Sequence, residues 1–285
     1  MNHRRHSWPA VAVLAALLVA ACSSGSGATS APSTALSAAA PSAAAGGAGE
    51  LTIYGAASLK GVLDKAKTAY EAANPGTTLT VSTDSSSTLE TQIEQGAPAD
   101  VFLSADKTNP QKLVDGGFAS GDAVVLAGNK LTVITPTDNP GGVSTPKDLA
   151  SSGLKVIAAG DEVPITKYAT QLVANLAKEP GYPANFVDAY TANVVSKEDN
   201  VKAVVAKIEL GEGDAGIVYV TDAAVSDKVK TVDVPDSANV PATYAGIVVK
   251  ASDNQDAASK FMDWFTGPDG QAILSSFGFL PPPSS

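Results

Sequence analysis

Residues 51–76 read LTIYGAASLKGVLDKAKTAYEAANPG, and this stretch sets the fold class. Leu51-Thr52-Ile53-Tyr54 is short and β-rich, as a strand requires. Gly55-Ala56-Ala57-Ser58 follows as a turn of small residues. Leu59, Val62, Leu63, Ala66, Ala69, Tyr70 and Ala73 then recur at helical spacing until Asn74-Pro75-Gly76 stops them. A strand that feeds a helix through a tight turn is the unit of α/β architecture.

The same alternation extends downstream. Strands are expected at 78–82, 101–103, 131–134, 155–158, 215–220 and 244–249. Helices are expected after Ser85-Ser86-Ser87-Thr88 up to Gly96, and over 165–177, 201–210 and 257–265. Gly267-Pro268-Asp269-Gly270 reads as a break before a shorter helix near 271–276. No repeat of fixed period is visible. The reading is parallel α/β layers in two lobes with a cleft between them.

Upstream of residue 50 the composition changes. Arg4 and Arg5 precede an apolar run from Trp8 to Ala21 that is too short to span a bilayer. Small residues lead into Cys22, the order expected of a signal peptide over 1–21. A Cys at that place resembles the bacterial lipobox, which implies lipidation of Cys22 and an extracytoplasmic, membrane-anchored protein. An ordinary signal peptide that contains a Cys is the other reading. Residues 22–49 are almost entirely Ser, Ala, Gly, Thr and Pro, the composition of a flexible tether.

The chain left after such a leader is unusual in what it lacks. Both His residues (His3, His6) and both Arg residues fall inside the leader, and Cys22 is the only cysteine. The remaining 17 Lys face 29 Asp and Glu, a charge of about −12. Ser-His and Cys-His catalysis and His/Cys zinc sites are therefore excluded. An acidic surface without a basic stripe argues against nucleic acid and anionic lipid as partners. Chemistry based on Asp, Glu, Lys or Tyr is left open.

Four places share one feature: each lies at the start of an expected helix that follows a strand. They are Ser58, Ser85–Ser87, Pro164-Ile165 and Asn200-Val201. Helix N-termini carry unpaired N–H groups and partial positive charge, and several aimed at one cleft hold an anion without Arg or Lys. Taken singly, each is also an ordinary capping sequence.

The segments Gly55-Ala56-Ala57-Ser58-Leu59, Ser85-Ser86-Ser87-Thr88-Leu89 and 92–106 (QIEQGAPADVFLSAD) closely resemble the periplasmic molybdate-binding proteins of ABC importers. Glu162-Val163-Pro164 with Tyr168-Ala169, Glu198-Asp199-Asn200-Val201, Gly216-Ile217-Val218-Tyr219, Thr221-Asp222-Ala223, Gly267-Pro268 and Phe277-Gly278-Phe279 follow in the same order. The resemblance implies a two-lobed periplasmic-binding-protein fold of type II, the venus flytrap. Lobe 1 would take 50–129 and 243–285, and lobe 2 would take 130–242. It implies no enzyme activity and no cofactor. It implies molybdate or tungstate as the ligand, bound as an oxyanion rather than as a cation. It also implies an ABC permease and, through the lipid, the membrane as partners, and a monomer.

Carried over residue by residue, Ser58 and Ser86 give hydroxyl and amide donors, Ile165 and Val201 give backbone N–H groups, and Tyr219 gives its phenolic O–H. The choice of Ser86 over Ser85 or Ser87 rests on spacing alone. Ile165 is bulkier than the small residue the family commonly has there, and Lys167 is expected to face solvent. Asp100 and Asp222 are read as turn formers or caps. Sulfate or another oxyanion as ligand, a surface lipoprotein enzyme and an adhesive lipoprotein are the competing readings.

Overall fold

The computed structural model describes residues 49–283. The expected signal peptide and Cys22 lie outside the described residues, as does the tether apart from Gly49. Two five-stranded sheets organise the body. The first has the strand order β2-β1-β3-β10-β4, where β1 is Glu50–Ala56, β2 Thr78–Asp84, β3 Val101–Ser104, β4 Val124–Asn129 and β10 Ala242–Val248. The second has the order β7-β6-β8-β5-β9, where β5 is Leu131–Pro136, β6 Val156–Ala159, β7 Val194–Glu198, β8 Ala215–Tyr219 and β9 Val229–Val232.

The expected parallel layers are present, with one antiparallel strand in each sheet whose direction the sequence pattern does not show. In the first, β1 runs parallel to β2 and β3, while β10 runs antiparallel to β3 and β4. The second repeats this plan: β6 is parallel to β7 and β8, while β5 is antiparallel to β8 and β9. The antiparallel strand arrives because the chain changes sheets. It passes from β4 to β5 through Lys130 alone, and returns between β9 and β10. Each sheet thus receives one strand whose chain partner lies in the other.

The helices form where apolar periodicity predicts them. Helix α1 (Lys60–Ala73) buries Val62, Leu63, Ala66 and Tyr70, and Asn74 ends it by donating its N–H to the Tyr70 carbonyl. A 3₁₀ turn over Ala57–Leu59 precedes α1, so Ser58 lies in that turn. Helices α2 (Ser86–Glu94), α4 (Pro164–Leu176) and α6 (Val201–Glu209) follow β2, β6 and β7. Gly216 lets α6 close on β8: a Cβ there would stand 3.0 Å from Val204 Cγ1 and 3.1 Å from the Ile157 carbonyl oxygen.

Several elements have no counterpart among the expected ones: α3 (Thr108–Asp115), α5 (Phe186–Asn193), α7 (Val220–Ala224), and the strands β4, β7 and β9. Near the C-terminus, α8 (Gln255–Thr266) is followed by α9 (Pro268–Ser276). The expected break therefore shrinks to Gly267, with Pro268 in the first turn of α9, where its missing N–H costs nothing.

Candidate functional site

The topology brings six strand ends to one place. Ser58 follows β1, Ser86 follows β2 and Ala105 follows β3; Ile165 follows β6, Val201 follows β7 and Tyr219 ends β8. These are the carboxyl ends of the parallel strands of both sheets, where α/β proteins build ligand crevices. All six residues line one cavity of about 210 Å³ free of protein atoms, together with Ala56, Ala57, Asp84, Ser85, Val163, Pro164 and Asn200. The five residues carried over by resemblance are brought together and each is buried, Ser58 at 7% being the most exposed.

The serine hydroxyls have defined partners. Ser86 Oγ accepts the Ala105 N–H at 3.0 Å, which leaves its own proton free. Ser85 and Ser87 are paired hydroxyl to hydroxyl at 2.8 Å. Ser58 Oγ lies 2.8 Å from the Tyr244 hydroxyl. Asn129 stands beside this pair; its Oδ1 accepts the Lys130 N–H at 2.9 Å. The Asn129 Nδ2 therefore faces Thr221 Oγ1 at 2.9 Å and the Tyr244 hydroxyl at 3.5 Å, and it can only donate. Within the Ser58–Tyr244 pair either hydroxyl can donate to the other.

Tyr219 completes the donor set. Its side chain is 1% exposed and its hydroxyl has no hydrogen-bond partner among the described residues. Tyr168 and Tyr244 hold the ring edge-on, with centroids at 6.2 and 5.6 Å. Burial pushes the Tyr219 hydroxyl pKa well above its ordinary value, and Tyr244, Tyr168, Asp222 and Asp106 add to the rise. The group is a neutral donor throughout the physiological range. The first-turn N–H groups of α2, α4 and α6 have no intrahelical acceptor by position. The result is a small cavity with neutral donors, suited to an anion whose oxygens only accept.

A larger space, about 740 Å³ free of protein atoms, lies in the second half and shares Ile165 with the first cavity. Several of its polar groups are committed within the protein: Thr166 donates to the Ala159 carbonyl, Thr191 to that of Val187, and Lys197 to Asp161. Asp100 and Asp222 line neither space. Asp100 accepts from the Thr52 N–H and from Ser252 and Asn254, tying β1 to the C-terminal segment. Asp222 is fully buried, with Lys202 Nζ 2.9 Å away.

Three residues at or near the cavity carry no signal readable along the chain. Asp84 lines it and meets Asn200 Nδ2 across the cleft at 3.1 Å. Tyr244, which orients Ser58, is 186 residues away from it in sequence. Lys167 is 44% exposed, as expected of a surface lysine, yet its Nζ lies 3.5 Å from Asp106 of the opposite half.

A profile of the bacterial extracellular solute-binding proteins matches residues 51–280. The chain belongs to this family. Among relatives of this solute-binding protein, the molybdate-binding protein ModA of Mycobacterium tuberculosis H37Rv is 32% identical over 83% of this chain and 86% of its own. The Bacillus subtilis protein provisionally named ABC transporter substrate-binding lipoprotein YvgL is 30% identical over 97% of this chain and 98% of its own. The solved periplasmic molybdate-binding protein of Azotobacter vinelandii aligns over 82% of this chain and all of its own, with a TM-score of 0.70 and 26% identity. The fold is that of the periplasmic binding proteins.

Proposed function

We propose that this solute-binding protein captures molybdate, and with it tungstate, outside the cytoplasm and delivers the anion to an ABC importer. The observation that carries the reading is the Tyr219 hydroxyl, buried with no partner among the described residues, in a cavity that the Ser86 hydroxyl also lines with its proton free. Ser58 and Ser86 supply further hydroxyl donors, and Ile165 and Val201 supply backbone N–H groups. A fully deprotonated tetrahedral dianion needs donors only, and fixed dipoles replace its hydration shell without rearranging. The names of the relatives support the choice of molybdate. Tungstate follows from its near-identical size; sulfate is smaller and would leave donors out of reach.

The lobes of this reading are 50–129 with 243–285, and 130–242. Cys22 carries the lipid that holds the protein at the membrane, and the protein acts as a monomer. The name of YvgL supports the lipoprotein form. Membership of a solute-binding family and the absence of His beyond residue 6 support binding rather than catalysis. Calorimetric titration of the protein with molybdate, tungstate and sulfate tests this. One-to-one tight binding of the first two with weak sulfate binding is expected. Tight sulfate with weak molybdate would overturn the ligand, and heat from none of them would overturn the oxyanion reading.

A further inference from the structure

We propose that Lys167 is a clasp across the cleft: it does not reach the anion, but neutralises Asp106 of the opposite half and so sets how long the anion stays bound. The inference rests on the oxyanion reading above.

Asp106 follows β3 and is 4% exposed in its side chain. One carboxylate oxygen is saturated: Oδ1 accepts from Ser104 Oγ at 2.9 Å and from the Asn109 N–H and Nδ2, both at 3.0 Å. These bonds fix the group and leave Oδ2 with a single partner among the described residues, Lys167 Nζ at 3.5 Å. Lys167 comes from α4, two residues beyond Ile165, so the helix that offers its N-terminus to the cavity also carries the clasp. Lys167 does not line the cavity.

The electrostatic need for such a residue is local. Asp106 lies close enough to raise the Tyr219 and Tyr168 hydroxyls, so its charge is felt inside the cavity. A dianion placed there is repelled by an uncompensated carboxylate whose surroundings screen poorly. Contact between the halves brings Lys167 to that carboxylate in the same movement that assembles the donors. Asn200 acts likewise on the other acidic residue of the cleft. It caps α6 by accepting the Ala203 N–H at 3.1 Å, and it donates to Asp84 at 3.1 Å. Both first-half carboxylates thus gain a cross-cleft partner from the first turn, or the cap, of a second-half helix.

Opening the cleft must break the Lys167–Asp106 pair before the anion escapes, whereas entry occurs before the pair forms. The effect therefore belongs to dissociation. One partner is half exposed, which limits the pair to about a fivefold effect.

Stopped-flow measurement of molybdate association and dissociation, in the parent, Lys167→Met, Lys167→Arg, Asp106→Asn and the Lys167→Met/Asp106→Asn double variant, tests the clasp. Lys167→Met is expected to speed dissociation about fivefold with association within about twofold. Lys167→Arg keeps the charge and stays near the parent. In the Asp106→Asn background the Lys167→Met effect should vanish, a coupling that a merely structural lysine stem would not show. Unchanged dissociation in Lys167→Met, or an equal change with and without the Asp106 charge, would overturn the clasp. Should Asp106→Asn fail to fold, the contrast between Met and Arg at 167 decides alone, and equal dissociation from both refutes it. A parent that binds no oxyanion strikes the oxyanion reading itself; a parent that binds while Lys167→Met releases at the parental rate strikes only the clasp.

Discussion

Tyr219→Phe is expected to weaken molybdate binding by about 1–3 kcal/mol while leaving the ligand-free protein at least as stable as the parent. The two signs have one cause. The Tyr219 hydroxyl is buried and meets no acceptor, so it contributes nothing to folding and its desolvation is a cost. Phenylalanine keeps the ring contacts with Tyr168 and Tyr244 and removes only the oxygen. The anion, by contrast, loses a fixed donor. Titration calorimetry paired with thermal unfolding reads both quantities. Falls in stability and affinity together would mean that the hydroxyl has a structural partner, and unchanged affinity would remove Tyr219 from the site.

Building the site from neutral groups fits the charge of the chain. With about twelve more acidic than basic residues beyond the leader, the surface offers no long-range attraction to an anion. Exposed charges are screened within about 8–10 Å at physiological salt, so the surface does not forbid binding either. Selection is left to the distances between fixed dipoles. Those are set by the strand ends of two sheets rather than by mobile Lys or Arg side chains.

The expected elements are those in which local rules decide. Apolar periodicity bounded by Asn74-Pro75-Gly76 marks α1, and Asn200 before Val201 marks α6, where the Asn200 side chain does accept the Ala203 N–H. The strands that escape notice, β4, β7 and β9, are all edge strands. Strand β7 has no buried residue and β9 buries only Val232, so neither apolar runs nor clean alternation announce them. The short helices α3 and α5 bury few side chains, and α3 carries Pro110 in its first turn. The antiparallel strands β5 and β10 depend on the chain crossing between sheets, which no local pattern encodes. Within the site, the serines and the helix starts are legible as strand-to-helix turns. The Tyr244–Ser58, Asn200–Asp84 and Lys167–Asp106 contacts join residues 186, 116 and 61 positions apart, and only the fold brings them together.

Ser86→Ala separates itself from Tyr219→Phe by lowering both stability and affinity. Ser86 Oγ serves both: it accepts the buried Ala105 N–H, and its proton is free toward the cavity. Alanine leaves the Ala105 N–H, in a residue that is 4% exposed, without its acceptor, at a cost of about 1–3 kcal/mol in folding. It also leaves the anion one donor short, which should weaken molybdate binding about tenfold or more. Ser87→Ala is the matched control, because the Ser87 hydroxyl is paired with Ser85 and Ser87 does not line the cavity. Its affinity should stay within about twofold of the parent. Ser86→Thr keeps the hydroxyl and adds a methyl group to a space of about 210 Å³. That variant should recover the stability but not the affinity, because the added volume displaces the anion and not the Ala105 bond. Calorimetric titration beside denaturant unfolding distinguishes the cases. A Ser86→Ala protein that unfolds early yet binds molybdate normally would leave the serine as a brace for the β3 loop and move the donor role to Ser85.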